Sequence, residues 1–345
     1  MSYSVRIQPS GHTFTVEDGE PVLDAALRHG LALPYSCRSG LCGNCRAIVA
    51  EGQFVYEEDF DPLDILDEEE IEAGAALMCQ CHPKSDMVIH VHEIDKPDEI
   101  EIKRMPCRIE KMNKLADDVM QLFMKQPETE RLQFLAGQYI DFILPDGRHR
   151  SFSIANAPHD SDVIELHIRH IEGGEFTDMI FEKAHEKDIM RIEGPHGDFF
   201  LREDSDRPVI LIATGTGFGP VKGIIEHAMM ENIDREFHLF WGARTFNGLY
   251  MHTLVEEWVK KNLNFKYTPV ISRPDKNWKG VAGYVQGAVL AEYPDLSGHD
   301  VYACGLPEMV RSCYEQFSKA GLTQDHFFSD AFEFAVDNKK SGTSS

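Results

Sequence analysis

The segment Pro34-Tyr35-Ser36-Cys37-Arg38-Ser39-Gly40-Leu41-Cys42-Gly43-Asn44-Cys45 decides how this chain is organised. Four residues separate Cys37 from Cys42, two separate Cys42 from Cys45, and Cys79 follows after a further 33. That spacing suits a 2Fe–2S cluster held by four thiolates. Gly40 and Gly43 let the loop turn tightly, so that backbone N–H groups can face the cluster sulfurs and stabilise the charge added on reduction. Zinc is the competing reading, because it also favours cysteines two residues apart. Zinc sites usually pair two such units, whereas only Cys42-Gly43-Asn44-Cys45 has that form here. Cys81, two residues past Cys79, competes with it for the fourth ligand position.

Outward from this loop the chain divides into three patterns. Residues 1–95 read as a small α+β unit of the β-grasp kind. Tyr3–Ile7 and His12–Val16 alternate as a hairpin around Pro9-Ser10-Gly11, Val22, Leu23, Ala26 and Leu27 give one helical face after Pro21, and Met87–Val91 closes as a strand. Residues 96–104 read as a linker. Residues 105–206 are dominated by short strands (Val119–Met124, Tyr139–Leu144, Ser151–Ala155, Val163–His170) with one helix near Thr177–Ala184, which predicts an antiparallel barrel or sandwich. Residues 207–337 alternate strand and helix from Val209 to Ala320, which predicts an α/β domain on a parallel sheet. The polar tail 338–345 is expected to be disordered.

Charge and composition narrow the function. The 345 residues carry 58 acidic against 34 basic side chains, a net charge of −24. Such a surface repels nucleic-acid phosphates and anionic membranes, so neither is an expected partner. The best apolar run, Val209–Ala213, is far shorter than the roughly 20 residues a spanning helix needs. The N-terminus lacks the apolar core of a signal peptide. A cytoplasmic monomer is the expectation. Five of the eight cysteines fall in the first 81 residues, which reads as a metal site rather than a disulfide framework.

Two further constellations carry chemistry. In the second segment, Arg150-Ser151-Phe152-Ser153 offers a cation for a diphosphate, an aromatic ring for a planar heterocycle and hydroxyls for ring nitrogens. His167-Ile168-Arg169 adds polar and cationic groups, and Gly174, Phe176 and Thr177 open a helix whose N-terminus can receive phosphate. Taken alone, four residues of strand such as Arg150–Ser153 are more often plain barrel wall than a cofactor site. In the third segment, Gly215-Thr216-Gly217-Phe218-Gly219-Pro220 joins a strand to a helix, and its glycines let a diphosphate approach the backbone. Cys304-Gly305-Leu306-Pro307 follows a later strand, where Cys304 alone reads as a strand-end thiol. Arg244 and Arg273 stand just past two other strands, placed for a ribose or its phosphate.

PYSCRSGLCGNC with LMCQCHPKSD resembles a plant-type ferredoxin, whose last ligand stands where Cys79 does; the resemblance makes Cys81 a bystander. RSFSIAN, LHIRH, GGEFTD, GTGFGP and CGLP in this order resemble the ferredoxin–NADP reductase superfamily, and together the likeness spans about Met1 to Phe334. That family's pattern is Arg-x-Tyr-Ser, so Phe152 replaces a tyrosine: ring stacking survives and a phenolic hydrogen bond does not. By resemblance, Arg150 meets the FAD pyrophosphate, Ser153 lies near flavin N5, Thr177 holds phosphate, and Cys304 lies beside the nicotinamide. Phe332 and Asp330 stand where such reductases place residues next to the flavin, though both suit ordinary packing or surface as well. The implied cofactors are a 2Fe–2S cluster, FAD and NADH, with NADPH as the alternative.

The domain order is that of one-component oxygenase reductases, and QYIDFIL, ELHIRH and DVYACGLPEMV resemble the CDP-6-deoxy-3,4-glucoseen reductase type. The expected function is therefore electron transfer from NAD(P)H through FAD and the cluster to an acceptor protein. That acceptor is a pyridoxamine-dependent sugar dehydrase or, alternatively, a Rieske or di-iron oxygenase component. A zinc-stabilised, non-catalytic interaction module is the competing class. Residues 1–100 hold 20 acidic side chains against six basic ones, with ten of the acids between Glu57 and Glu72. This stretch reads either as a solvated, partly helical face or as a docking surface for a basic acceptor.

Overall fold

Apolar residues at every second position of the first two strands, Val5 and Ile7, then Phe14 and Val16, point to one side and bury almost completely. They form the hairpin β1 (Ser2–Gln8) and β2 (Thr13–Glu17), and α1 (Val22–Arg28) lays Val22, Leu23 and Ala26 across them. Each of the Val, Ile, Leu and Phe side chains among them contributes about 1.5–3 kcal/mol by leaving water. The computed structural model describes residues 2–29, 31, 33–34, 40, 45–57, 60–93, 100–159 and 162–331. Within them this unit adds β3 (Arg46–Glu51), β4 (Phe54–Val55), α2 (Glu68–Glu72), β5 (Ala75–Leu77), β6 (His82–Pro83) and β7 (Met87–His90). The main sheet runs β2-β1-β7-β3-β5, with β1 parallel to β7 and the other pairs antiparallel.

The acidic stretch is partly helical. Asp61 caps a single 3-10 turn by accepting the Leu63 N–H at 3.0 Å. Asp67 and Glu70 then form a reciprocal capping box at the start of α2. Leu66 is buried beneath, while Glu68, Glu69 and Glu72 face solvent.

The second unit is a six-stranded antiparallel barrel ordered β11-β10-β13-β8-β9-β12. Its strands are β8 (Lys103–Ala116), β9 (Val119–Lys125), β10 (Tyr139–Ile143), β11 (His149–Ser153), β12 (Val163–Arg169) and β13 (Ile189–His196), with α3 (Glu175–Glu182) before β13. An antiparallel bridge from Ile154 to Leu166 closes the sheet on itself. Two strands escape the sequence reading. Bulges at Ile109/Lys111 and Lys114/Ala116 break the two-residue period of β8, and Gly194-Pro195 makes β13 look like a turn. The expected linker 96–104 also ends early, since Lys103 and Arg104 already pair with Gly194 and Glu193.

The third unit is a parallel sheet ordered β17-β16-β15-β14-β18-β19. Its elements are β14 (Val209–Thr214), α4 (Phe218–Met230), β15 (Phe237–Ala243), α5 (His252–Lys261), β16 (Phe265–Ile271), β17 (Val281–Ala282), α6 (Val285–Glu292), β18 (Asp300–Gly305), α7 (Pro307–Lys319) and β19 (Phe327–Ala331). Val209, Leu211 and Ala213 pack with α4 and α5, and Ile210 and Ile212 pack with α6 and α7. Burial on both faces explains why β14 reads as a continuous apolar run. The strand order reverses beside β14, so the crevice at its C-terminal end, between β15 and β18, is where a ligand is expected in such a sheet. Among the described residues, no helix is long and apolar enough to cross a membrane.

At the opposite end, Arg235 donates to the Asp300 carboxylate at 2.6 Å and to the carbonyls of Arg207 and Arg202. Asp300 is fully buried. Substituting Arg235 by Met leaves that charge with His326 alone, at 2.7 Å, and is expected to cost about 3 kcal/mol, with Arg235→Met/Asp300→Leu losing less. All three tryptophans (Trp241, Trp258, Trp278) lie in this unit, so their fluorescence during urea unfolding isolates the effect.

Candidate functional site

Three local arrangements carry the candidate chemistry, one in each unit. In the first unit, Cys45 and Cys79 are both buried, and their sulfurs lie 3.2 Å apart without a disulfide. Two adjacent thiols at that separation can bind one metal atom jointly. Gly40 has a φ of +78°, and a Cβ there would strike the Phe60 ring, so the loop needs glycine at that point. Cys37 and Cys42 lie outside the described residues. Cys81 is fully enclosed in the apolar core, and burial pushes its thiol far up, which disfavours a thiolate. The donor set fits a thiolate-held cluster.

In the barrel, a cavity of about 420 Å³ opens beside β11. Arg150, Ser151, Phe152 and Ser153 line one wall, His167 and Arg169 of β12 another, and Gly174, Phe176 and Thr177 of the α3 entrance a third. Phe152 stands in a three-ring cluster with Phe142 and Phe176, centroids 5.0–5.8 Å apart. The Thr177 hydroxyl is engaged by its own loop, accepting the Ile171 N–H and lying within 3.2 Å of two carbonyls. Ile168 points away into the barrel core. An aromatic wall, cations and a helix N-terminus around one cavity fit an aromatic dinucleotide. Tyr139 and His149 also line it and were missed; their signal was period-two placement on β10 and β11.

The nicotinamide motifs close the cavity from the other side, where Thr216 and Gly219 join its lining. Gly215 has φ +56°, and a Cβ there would stand 2.7 Å from the Arg169 guanidinium. A Cβ on Gly217 would strike the Cys304 carbonyl, and one on Gly305 would strike the Thr214 hydroxyl. The two motifs are thus packed backbone to backbone. Pro220 is buried in the first turn of α4, and Pro307 starts α7. Arg244 and Arg273 are exposed neighbours past β15 and β16, joined by an Arg273 N–H to Arg244 carbonyl bond of 2.8 Å.

Ser153, Cys304 and Asp330 meet where the units touch. Ser153 donates to Asp330 at 3.1 Å, and the Cys304 sulfur lies 3.9 Å from the same oxygen. Burial raises the Asp330 carboxyl, offset in part by these two donors. Burial, then the Asp330 charge, pushes the Cys304 thiol well above its ordinary range, so it stays a neutral thiol. Phe332 lies outside the described residues.

Two other features carry less. A larger cavity of about 910 Å³, lined by His12, Glu203 and His227 among others, contains none of the motif residues. Asp141, Glu193 and His196 converge on the barrel wall, but Arg104 pairs with Glu193, and Ser151 and His149 bond Asp141 at 2.6 and 3.0 Å.

The three units match three family models in order. They are the 2Fe-2S iron-sulfur cluster binding domain over residues 5–84, the oxidoreductase FAD-binding domain over 106–201 and the oxidoreductase NAD-binding domain over 211–315. The chain is 40% identical over 332 residues to the CDP-6-deoxy-L-threo-D-glycero-4-hexulose-3-dehydrase reductase of Yersinia pestis, covering 96% of this chain and 99% of that one. It is 35% identical to the terephthalate 1,2-dioxygenase reductase component 2 of a Comamonas species, covering 96% and 98%. Among solved structures it is similar to the ferredoxin reductase of carbazole 1,9a-dioxygenase, with a TM-score of 0.61, 25% identity and coverage of 96% and 99%. The matched domains bring a 2Fe–2S cluster, FAD and NAD(P)H.

Gly217→Ala tests the backbone contact between the two nicotinamide motifs. Its methyl group must displace either the turn or the end of β18. The expected outcome is NADH binding weakened by about tenfold or more, equivalent to about 1.4 kcal/mol, with the flavin absorbance of the protein retained. A titration of NADH against the oxidised holoprotein checks it.

Proposed function

The chain belongs to the reductases that join a 2Fe–2S ferredoxin domain to FAD-binding and NAD-binding oxidoreductase domains, and on that premise we propose that it passes electrons from NADH to a deoxysugar dehydrase. When bound, FAD takes up a hydride and releases electrons singly, which matches a two-electron donor to a one-electron cluster. The observation that carries the reading is the meeting of Ser153 from the flavin strand with Cys304 from the nicotinamide sheet at one carboxylate, Asp330.

The chain's own residues divide the work. Gly215, Thr216, Gly217 and Pro220 admit the NADH diphosphate to the start of α4, and Cys304, Gly305 and Pro307 shape the nicotinamide end. Arg150, with Gly174, Phe176 and Thr177 at the α3 entrance, holds the FAD pyrophosphate. Phe152 would offer its ring face to the flavin and the Ser151 and Ser153 hydroxyls its polar edge and N5, while the His167 ring, its nitrogens bonded to Glu165 and Tyr250, closes the wall. Arg169 forms the adjoining strand wall, while Ile168 packs in the barrel core behind it; Phe332 is the further candidate for the flavin. Arg244 and Arg273 hold the adenosine ribose; their exposure leaves room for a 2′-phosphate, so NADPH is the alternative donor. Cys37, Cys42, Cys45 and Cys79 ligate the cluster.

The higher identity to dehydrase reductases than to oxygenase components supports the dehydrase as acceptor. The oxygenase reading rests on near-full-length likeness to oxygenase and hydroxylase reductase components. Reduced protein mixed in a stopped-flow instrument with a deoxysugar dehydrase, a Rieske oxygenase and a di-iron oxygenase separates them. Fastest reoxidation of the cluster by the dehydrase is expected, and fastest reoxidation by either oxygenase overturns the assignment. If the exposed acids of the first unit steer docking, the association rate falls by about 10–10³ as salt rises. The same preparation is expected to hold about one FAD and about two iron atoms per chain.

A further inference from the structure

Strand β12 carries two residues that an apolar strand does not call for. Glu165 and His167 are 5% and 6% exposed, and they point out of the barrel towards the nicotinamide unit. Opposite stands Lys222, also 5% exposed, on the second turn of α4. Its ammonium donates to Glu165 at 2.9 Å, to Glu226 at 2.8 Å and to the Ala155 carbonyl at 3.0 Å. His167 Nε2 bonds the other Glu165 oxygen at 2.8 Å, and Gln121 donates to that oxygen at 2.7 Å. His167 Nδ1 meets the Tyr250 hydroxyl at 3.0 Å, just before α5.

Charge and protonation in this network are fixed. Burial alone would raise the Glu165 carboxyl, but the His167 hydrogen bond and the Lys222 charge win and hold it at about 2. Burial keeps His167 neutral, so Nε2 carries the proton and Nδ1 accepts from Tyr250. A glycine lets α4 come close enough: a Cβ on Gly223 would stand 3.0 Å from the Asn156 carbonyl, whereas one on Gly219 would make only ordinary contact with Ala155 and the His167 ring.

A buried ion pair is often no more stable than an apolar pair of the same size, so stability does not explain it. Direction does: apolar surfaces can slide, whereas an ammonium shared by two carboxylates and a carbonyl has one seat. β12 also lines the flavin cavity with His167 and Arg169, and α4 begins at the glycine turn. We propose that Lys222, Glu165, His167 and Tyr250 form a latch between the flavin and nicotinamide units, in which Lys222 and Glu165 are positioning residues that set the approach for hydride transfer. This rests on the proposed transfer from NADH to FAD and names what holds the two sites in register.

The test uses holoprotein carrying Lys222→Met, Glu165→Gln, or both. Bleaching of the flavin by NADH is expected to slow about 10–100-fold in Lys222→Met and in the double variant. The long-wavelength absorbance of nicotinamide stacked on flavin should fall with it. FAD content, reduction by dithionite and onward transfer to the acceptor should match the wild type. The double variant leaves no bare buried charge, so it decides the matter if Lys222→Met fails to fold. A double variant that NADH bleaches at the wild-type rate overturns the latch, because the pair then only stabilises. Loss of FAD from the double variant also overturns it, by making the network a flavin clamp. Wild-type protein that NADH does not bleach removes the underlying reading itself.

Discussion

Gly217 has no room for a side chain, because the carbonyl of Cys304 occupies the place a Cβ would take. This close approach joins the end of β14 to the end of β18 at the point where strand order reverses. The crevice, the placing of Cys304 and the orientation of the glycine turn all follow from it. The barrel then needs only to present β11 and β12 to that crevice. The Ile154–Leu166 bridge fixes both strands relative to each other, so the Ser153 hydroxyl and the His167 ring reach the same place from different directions.

Charge is used in two opposite ways. On the first unit it is spread over the solvent face of a short capped helix, where water screens it and individual pairs contribute little. Between the second and third units it is withdrawn from water in the Glu165–Lys222 pair, with Glu226 at its partly exposed rim. The net charge of −24 reflects the first use and hides the second. A composition count therefore speaks about encounter with other molecules and says nothing about the interior.

The ferredoxin domain, the barrel and the parallel sheet were legible because each depends on local pattern: cysteine spacing, alternation and strand–helix succession. β8 and β13 were not, since bulges and a Gly-Pro pair hide their period. β19 was missed because its place at the sheet edge comes from pairing with β18, a contact 26 residues away. The residues Ser153, Cys304 and Asp330 could be named singly from motifs, but their meeting at one carboxylate is a tertiary fact. Glu165 and Lys222 did leave a trace, each a lone charge within an apolar run (Val163-Ile164-Glu165-Leu166, Val221-Lys222-Gly223-Ile224). Such a charge signals a buried partner without saying where the partner is.

Only residues 91–102 separate the last strand of the ferredoxin unit from the first strand of the barrel. A short covalent tether holds its two ends at a local concentration of order millimolar. Electron passage from flavin to cluster is then a first-order event, insensitive to how dilute the protein is, and a free ferredoxin in the same solution competes poorly for those electrons. Only the final delivery to a separate acceptor remains bimolecular, so the abundance of the acceptor sets the flux through the chain.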